Sequence, residues 1–338
     1  MNRRFYLFYI VIFYLLLAGC QRAEPTRAEF IMGTICRVTL LDQARADVYR
    51  SIFSRIRELE NYLSVNLPET DVTRINNAAG IEPIVVHDDV FKVIEQAVYY
   101  AEISGGAFDP TVGPLVKLWD IGGSNPRVPS QEEIDAVLPL INWRDIELDS
   151  DSRSVFLKRP GMAMDLGGIA KGYAADEAAA IVKRAGLKRA IIDLGGNIMM
   201  SGVKKEKDKT PWKIGIQNPL ENRGEYIGIL SVGEQSVVTS GVYERFFEEE
   251  GIRYHHIFSP ADGYPARNGL LSATVITSVS MDADALSTAA FVLGYEKGKM
   301  LIESTPGTEA IFVFEDKSIR KTPGAQFVVT NIQWRVEE

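Results

Sequence analysis

Apolar residues recur at helical spacing in two long stretches. Between Ala44 and Ser64, Val48, Ile52, Ile56, Leu59 and Leu63 fall on one face, which predicts an amphipathic helix. Between Asp88 and Ser104, Phe91, Ile94, Val98 and Ala101 repeat the pattern, and Gly105 supplies a C-terminal stop. Ser130 and Glu133 form a possible capping box for a short helix that ends at Pro139. Phe30 to Leu40 reads as a strand interrupted at Met32-Gly33-Thr34. The second half alternates: a strand at Ala163–Leu166, a helix at Ile169–Ala185, a strand at Arg189–Asp193 and a late helix at about Asp284–Leu293. Further strands are expected near 213–217, 226–232, 236–240, 254–258, 273–278, 310–315 and 326–331. Several follow one another directly and so pair antiparallel. The expected class is α+β, with mixed or antiparallel sheets and packed helices.

The chain has 338 residues, of which 46% are hydrophobic, enough for one large core or two joined ones. Its formal charge of −8 argues against a nucleic-acid partner, which calls for a basic surface. Lys204 to Lys209 (KKEKDK) is short and mixed in sign and reads as a solvated loop.

The N-terminus changes the picture. Arg3 and Arg4 precede an unbroken apolar run, Phe5 to Ala18, which is shorter than a spanning helix. Leu17-Ala18-Gly19-Cys20 resembles a bacterial lipobox, so residues 1–19 are expected to be a lipoprotein signal peptide and Cys20 the lipidation site. Residues 20–28 then form a tether and 29–338 the folded domain. The protein would sit on the extracytoplasmic, periplasmic side of a membrane, and Gln21 in place of Asp weakly favours the outer one. With Cys20 lipidated, Cys36 has no partner, and it lies in an alternating stretch that reads as a buried strand.

Several chemistries are excluded. There is no G-x-G-x-x-G, P-loop or G-x-S-x-G, and His87, His255 and His256 with one spare Cys make no zinc site. Four polar clusters remain. Gly105–Pro114 (GGAFDPTVGP) follows a helix and suits close ligand approach. Met164–Asp176 (MDLGGIAKGYAAD) puts Asp165, two glycines and Lys171 at a helix start, where N–H groups favour phosphate; the alternative is a tight strand–helix turn with Asp165 bonded to the backbone. Asp193–Asn197 (DLGGN) ends the next strand, as substrate contacts or as a bulge beside the site. Asp284 and Thr288 stand four apart on one helical face, oxygen donors for Mg²⁺ or Ca²⁺, or else part of a helix cap with Asp282. His256, before a Pro/Gly-rich turn, is a general-base candidate. Together these suit phosphoryl or nucleotidyl transfer.

Six blocks in this order resemble the ApbE-type FAD:protein FMN transferases: FIMGT, GGAFDPTVGPLVKLW, MDLGGIAKGYAAD, DLGGNI, SGVYER with HHIFSPADGYP, and DADALSTAAFVLG. The resemblance covers roughly residues 29–315 and implies a T-fold-related α+β architecture. It implies cleavage of FAD at its pyrophosphate and attachment of FMN by a phosphoester to a Ser or Thr of a partner, with release of AMP. That partner would be a flavoprotein subunit of the Rnf or sodium-pumping quinone reductase type, or a similar periplasmic flavoprotein. By the same resemblance, Met32, Ala107, Phe108, Asp109, Asp165, Lys171 and Phe258 would contact FAD. Mg²⁺ would be held by Asp284, Thr288 and the carbonyl of Gly168, and His256 would activate the acceptor hydroxyl or stabilise the transition state. An FAD pyrophosphatase and a non-catalytic FAD-binding lipoprotein are the competing readings.

Two positions depart from the family pattern. Asn66 (LSVN) stands where many members carry a Tyr that stacks on FAD, so it would be a weaker FAD contact and permit ready turnover, hydrolysis included. Ser259 replaces a usual Asp.

Overall fold

The computed structural model describes residues 25–337 apart from Ala44 and Glu206. The expected signal peptide, Cys20 and the first part of the tether lie outside the described residues.

The chain opens with β1 (Thr26–Ile31) and β2 (Thr34–Leu40), followed by α1 (Ala46–Leu63) and α2 (Asp71–Asn77). Next come β3 (Ile84–Val85), α3 (Asp88–Ile103), α4 (Gly113–Trp119), α5 (Gln131–Val137), β4 (Ile146–Asp149) and β5 (Ser154–Leu157). The second half holds α6 (Ala170–Arg184), β6 (Ala190–Leu194), β7 (Asn197–Ser201), β8 (Trp212–Gln217), β9 (Tyr226–Val232) and β10 (Ser236–Gly241). It ends with β11 (Phe246–Glu249), β12 (Ile252–His255), β13 (Leu270–Thr277), α7 (Ser280–Ser304), β14 (Glu309–Phe314), β15 (Ser318–Lys321), β16 (Phe327–Val329) and β17 (Arg335–Val336).

Nine strands form the main sheet, in the order β1-β2-β6-β7-β10-β13-β14-β15-β17. Only the last pair is parallel. α6 and α7 pack on this sheet and on each other, and α1 lies against α6. This is the expected α+β class. β13 is buried along its whole length, so its sequence, LLSATVIT, lacks the alternation of a half-exposed strand. Smaller sheets, β16-β9-β8, β11-β12 and β3-β5-β4, flank the main one.

Local sequence explains the helices it predicted. α1 buries Val48, Ile52, Ile56, Leu59 and Leu63. α5 carries the capping box, with Ser130 and Glu133 each bonding the other's backbone N–H. Cys36 is fully buried on β2 and unpaired, and burial, reinforced by Asp193, pushes its thiol up to about 12.

Other expectations are corrected. The interruption at Met32-Gly33 is a hairpin turn, both residues having positive φ, so the stretch is two antiparallel strands. β1 already begins at Thr26, so the last residues of the expected tether belong to the sheet. Ala163–Leu166 is not a strand. Ala163 bridges Val112, Asp165 N–H donates to Pro110 O, and the Asn76 side chain bonds both backbone groups of Met164, so no sheet neighbour is needed. α7 starts before Asp284 and runs past Leu293, where Gly294 (φ 75°, ψ −179°) breaks it into two helical runs. Its N-terminus is capped not by Asp282 or Asp284 but by Asp176 of α6, whose carboxylate accepts from Ser280 N (2.8 Å) and Met281 N (2.9 Å).

Candidate active site

The sheet ends and helix starts described above enclose a cleft of ≈ 820 Å³. The turn after β1 brings Met32 to it, and the chain beyond α1 brings Asn66. The turn after α3 contributes Ala107, Phe108 and Asp109. Asp165 and Gly168 precede α6, and Lys171 sits in its first turn. His256 and Phe258 follow β12, and Asp284 and Thr288 project from α7. All of these residues line the cleft.

The floor is the contact between α6 and α7. Asp284, 4% exposed, accepts through Oδ2 from Gly172 N at 2.9 Å. Its Oδ1 lies 3.7 Å from Lys171 Nζ. Thr288 Oγ1 bonds Ser240 Oγ on β10 at 3.2 Å. A Cβ added to Gly168 would stand 3.3 Å from Thr288 Oγ1 and 3.1 Å from the Phe108 ring, so the backbone there comes close to Thr288. One carboxylate, one hydroxyl and one backbone segment thus converge as hard oxygen donors. No group of three or more His, Cys, Asp or Glu side chains suited to a metal occurs among the described residues. A cation bound on the floor would therefore keep room for water or ligand oxygens.

Beside the floor, Gly167 and Gly168 lead into the N-terminus of α6, whose dipole favours an anion although Ile169 and Ala170 N–H bond Leu166 O and Gly172 N–H bonds Asp284. Asp165 Oδ1 accepts from Gly167 N at 2.7 Å, which is the backbone-bonded turn of the two readings, at the cleft wall. Lys171 Nζ donates to Gly167 O at 2.7 Å. Asp109 also lines the wall, but its buried carboxylate is engaged by Thr111 N (2.8 Å), Thr111 Oγ1 (2.6 Å) and Trp143 N (3.1 Å). Burial raises its pKa despite those bonds. Asp109 pins the turn that presents Ala107 and Phe108. Asp193 works similarly in the β6–β7 turn, accepting from Gly196 N at 2.9 Å and pairing with Arg37; it does not line the cleft, whereas Asn197 does.

The two adjacent histidines differ. His255 is buried and uses both ring nitrogens, Nε2 to Ala266 O (3.0 Å) and Nδ1 from Ile257 N (3.3 Å). His256 is half-buried at the cleft with Nδ1 3.2 Å from Arg245 O. That contact assigns the proton to Nδ1 and leaves Nε2 as an acceptor on a residue that lines the cleft. Desolvation, helped by the Arg245 charge, lowers His256 to about 3, so it is neutral near pH 7. Phe258 packs into a small second core with Leu115, Trp119 and Ile134.

Sequence reasoning missed Glu60, whose Oε1 accepts from Met32 N at 2.6 Å and fixes the hairpin turn on the rim. It also missed Arg223 on the β8–β9 loop, which pairs with Glu244 at 3.1 Å across the mouth. Glu60 belongs to a helix already explained by its apolar face, and no local pattern marks Arg223.

Fold and cleft together define an α+β protein with a ligand cleft where two helices meet a sheet, one offering its N-terminus and the other a carboxylate and a hydroxyl. The chain belongs to the ApbE family, whose model matches residues 32–312. It is 38% identical over 316 residues to the FAD:protein FMN transferase of Treponema pallidum (strain Nichols), covering 89% of this chain and 87% of the relative. It is 41% identical over 289 residues to one from Klebsiella pneumoniae (strain 342), covering 86% and 89%. Among solved structures, the ApbE protein of Thermotoga maritima superposes with a TM-score of 0.78 at 32% identity, covering 91% of this chain and 97% of that one. The flavin transferase ApbE of Vibrio cholerae does so at 0.77 and 26% identity, covering 90% and 96%.

Proposed function

We propose that the protein is an FAD:protein FMN transferase that is Mg²⁺-dependent and lipid-anchored at Cys20 on the extracytoplasmic side of the membrane. The observation that carries the chemistry is the convergence of Asp284, Thr288 and the Gly168 backbone beside the N-terminus of α6, in a family whose members are so named. In this reading Asp284, Thr288 and the Gly168 carbonyl hold Mg²⁺. The ion, when bound, polarises the phosphoryl oxygens of FAD. The residues of the chain do the rest. Lys171 and the positive end of the α6 dipole meet the pyrophosphate charge. Phe108 and Phe258 offer apolar walls, and Met32 and Ala107 border the flavin end. His256 accepts the proton of a Ser or Thr hydroxyl at Nε2 as that oxygen bonds to the FMN phosphorus. The bond from that phosphorus to the bridging oxygen breaks, and AMP leaves with the bridging oxygen.

The acceptor is a flavoprotein subunit of the Rnf or sodium-pumping quinone reductase type, or a similar periplasmic one. The test is mass spectrometry of such a subunit after incubation with enzyme, FAD and Mg²⁺, with Asp284→Ala as control. Covalent FMN with wild type alone is expected. AMP release without labelling of any acceptor would favour the second reading, an FAD pyrophosphatase in which water takes the place of the hydroxyl. That reading is favoured by Asn66, exposed at the cleft where an aromatic platform would hold FAD.

A further inference from the structure

The described chain begins at one end of the main sheet. Pro25 O accepts from Leu40 N at 2.8 Å, and Leu41 N donates to Arg189 O at 3.0 Å. Asp42 accepts from the backbone N–H groups of Lys188 (2.7 Å) and Arg189 (2.8 Å), and Arg189 Nη1 reaches Lys204 O at 3.4 Å. Arg45 Nη1 donates to Ala185 O at 3.1 Å, which adds the start of α1 to the same end. A shallow depression of ≈ 590 Å³ here is lined by Asp42, Gly186, Lys188, Arg189, Lys205 and Lys207. Segments 42–47, 183–189 and 202–211 carry nine Lys and Arg against four Asp and Glu, in a chain of formal charge −8. The basic loop that reads as merely solvated is thus one part of a cationic end assembled from three separated segments.

The active cleft lies at the opposite end of the same elements. β1 runs from Thr26, at the basic end, to the Met32 turn on the cleft rim, about 20 Å at 3.3 Å per residue. α6 runs from Lys171 in the cleft to Lys183 and Arg184 at the basic end, about 20 Å at 1.5 Å per residue. Between Cys20 and Pro25 there are five Cα steps, a reach of at most about 18 Å. An anchor at Cys20 therefore keeps Pro25 and this end of the sheet within about 18 Å of the lipidated residue. No helix among the described residues is long and apolar enough to cross a membrane, so contact there is through the surface.

We propose that this end faces the membrane and that Lys205 and Lys207, beside Lys188 and the Asp42-paired Arg189, bind the anionic phospholipid headgroups of the bilayer that holds the anchor. The cleft then stands off from the lipid surface, and an acceptor presents its hydroxyl at that height. This rests on the lipid-anchor reading. The test uses the full-length, lipid-bearing chain in neutral detergent, in phosphatidylcholine vesicles and in vesicles that also contain phosphatidylglycerol. Lysine acetylation is read by mass spectrometry. Lys188, Lys205 and Lys207 should be shielded about fivefold with phosphatidylglycerol, Lys117 on α4 should be unaffected, and about 0.5 M NaCl should remove most of the shielding. The double variant Lys205→Glu, Lys207→Glu should lose the shielding of Lys188 while keeping full activity in detergent. Equal labelling on the two vesicle types, with lipid present on Cys20, would overturn the inference and leave the anchor standing. A chain recovered without lipid on Cys20 would remove the anchor and the inference together.

Discussion

Asp284 on α7 accepts the backbone N–H of Gly172 on α6 at 2.9 Å, so the carboxylate at the centre of the cleft is held by a residue 112 positions away in the chain. That bond requires the two helices to touch. A Cβ on Gly172 would lie 2.4 Å from Ser280 O and 2.6 Å from Met281 Cα, both backbone atoms of α7. Gly172→Ala should therefore push the helices apart, costing about 1–3 kcal/mol of stability as overpacking does. The thermal unfolding midpoint should fall and activity should fall with it. A variant with the wild-type midpoint and rate would show that α6 and α7 are not packed this closely.

Asp284→Asn separates charge from position. The amide oxygen can still accept from Gly172 N–H, so the unfolding midpoint without metal should stay near that of wild type. The negative charge that would attract a divalent ion is gone. Mg²⁺ should raise the midpoint of wild type, since a ligand of the folded state alone stabilises it, and should leave the variant unmoved. Activity should drop about 10²–10³-fold, the usual loss for one strong electrostatic contact in a transition state. Equal Mg²⁺ shifts in both proteins would place the ion elsewhere.

His255 and His256 should separate by phenotype. His255→Gln breaks two buried hydrogen bonds and should cost about 1–3 kcal/mol of stability. His256→Gln should leave stability near pH 7 almost unchanged and lower the rate about 10²–10⁴-fold, as loss of a general base does. The pH dependence follows from burial, which lowers His255 to about 4 and His256 to about 3, against 6.5 unfolded. Between pH 6.5 and 3 the unfolded chain binds protons that the folded chain refuses, so stability falls as pH falls through this window. Each single variant should flatten that fall. The acid limb of kcat/KM for FAD, which reports the free enzyme, should lie well below pH 6.5. A limb centred at 6.5 would mean that the base is solvated or is another group.

Much of this site could be read along the chain, because its residues come in short local motifs on turns and helix starts. Asp284 and Thr288 share a face by helical spacing alone, and Ser130 and Glu133 form their cap within one turn. What escaped is the bonding that closes over long separations. Asn76 satisfies Met164 across 88 residues, removing the need for the strand expected there, and Asp176 caps α7 across 104. Glu60 bonds Met32 across 28. Each is a polar side chain meeting one or two backbone groups, a pairing with no periodicity and no composition to betray it. Asp165 and Asp109 line the cleft where the motifs drew attention, and each also holds a turn, Asp165 through Gly167 N–H and Asp109 through the Thr111 and Trp143 N–H groups.

Asn66 offers the sharpest test of how firmly the cleft holds FAD. It is exposed on the cleft wall, its backbone N–H held by Ser64 Oγ at 3.1 Å, so a larger side chain can be added without disturbing a buried neighbour. Asn66→Tyr would supply an aromatic face for the flavin or adenine ring, worth about 0.5–1.5 kcal/mol beyond the area it covers. FAD should then bind several-fold more tightly and more flavin should survive purification. Because that stabilisation acts equally on bound FAD and on the transition state, kcat should stay the same, and AMP release without an acceptor should keep its rate at saturating FAD while KM falls. Calorimetric titration with FAD, with and without Mg²⁺, alongside a timed AMP assay reads both quantities. Wild-type protein isolated saturated with intact FAD in the presence of Mg²⁺ would show that the cleft already retains its substrate and that Asn66 is no weakness.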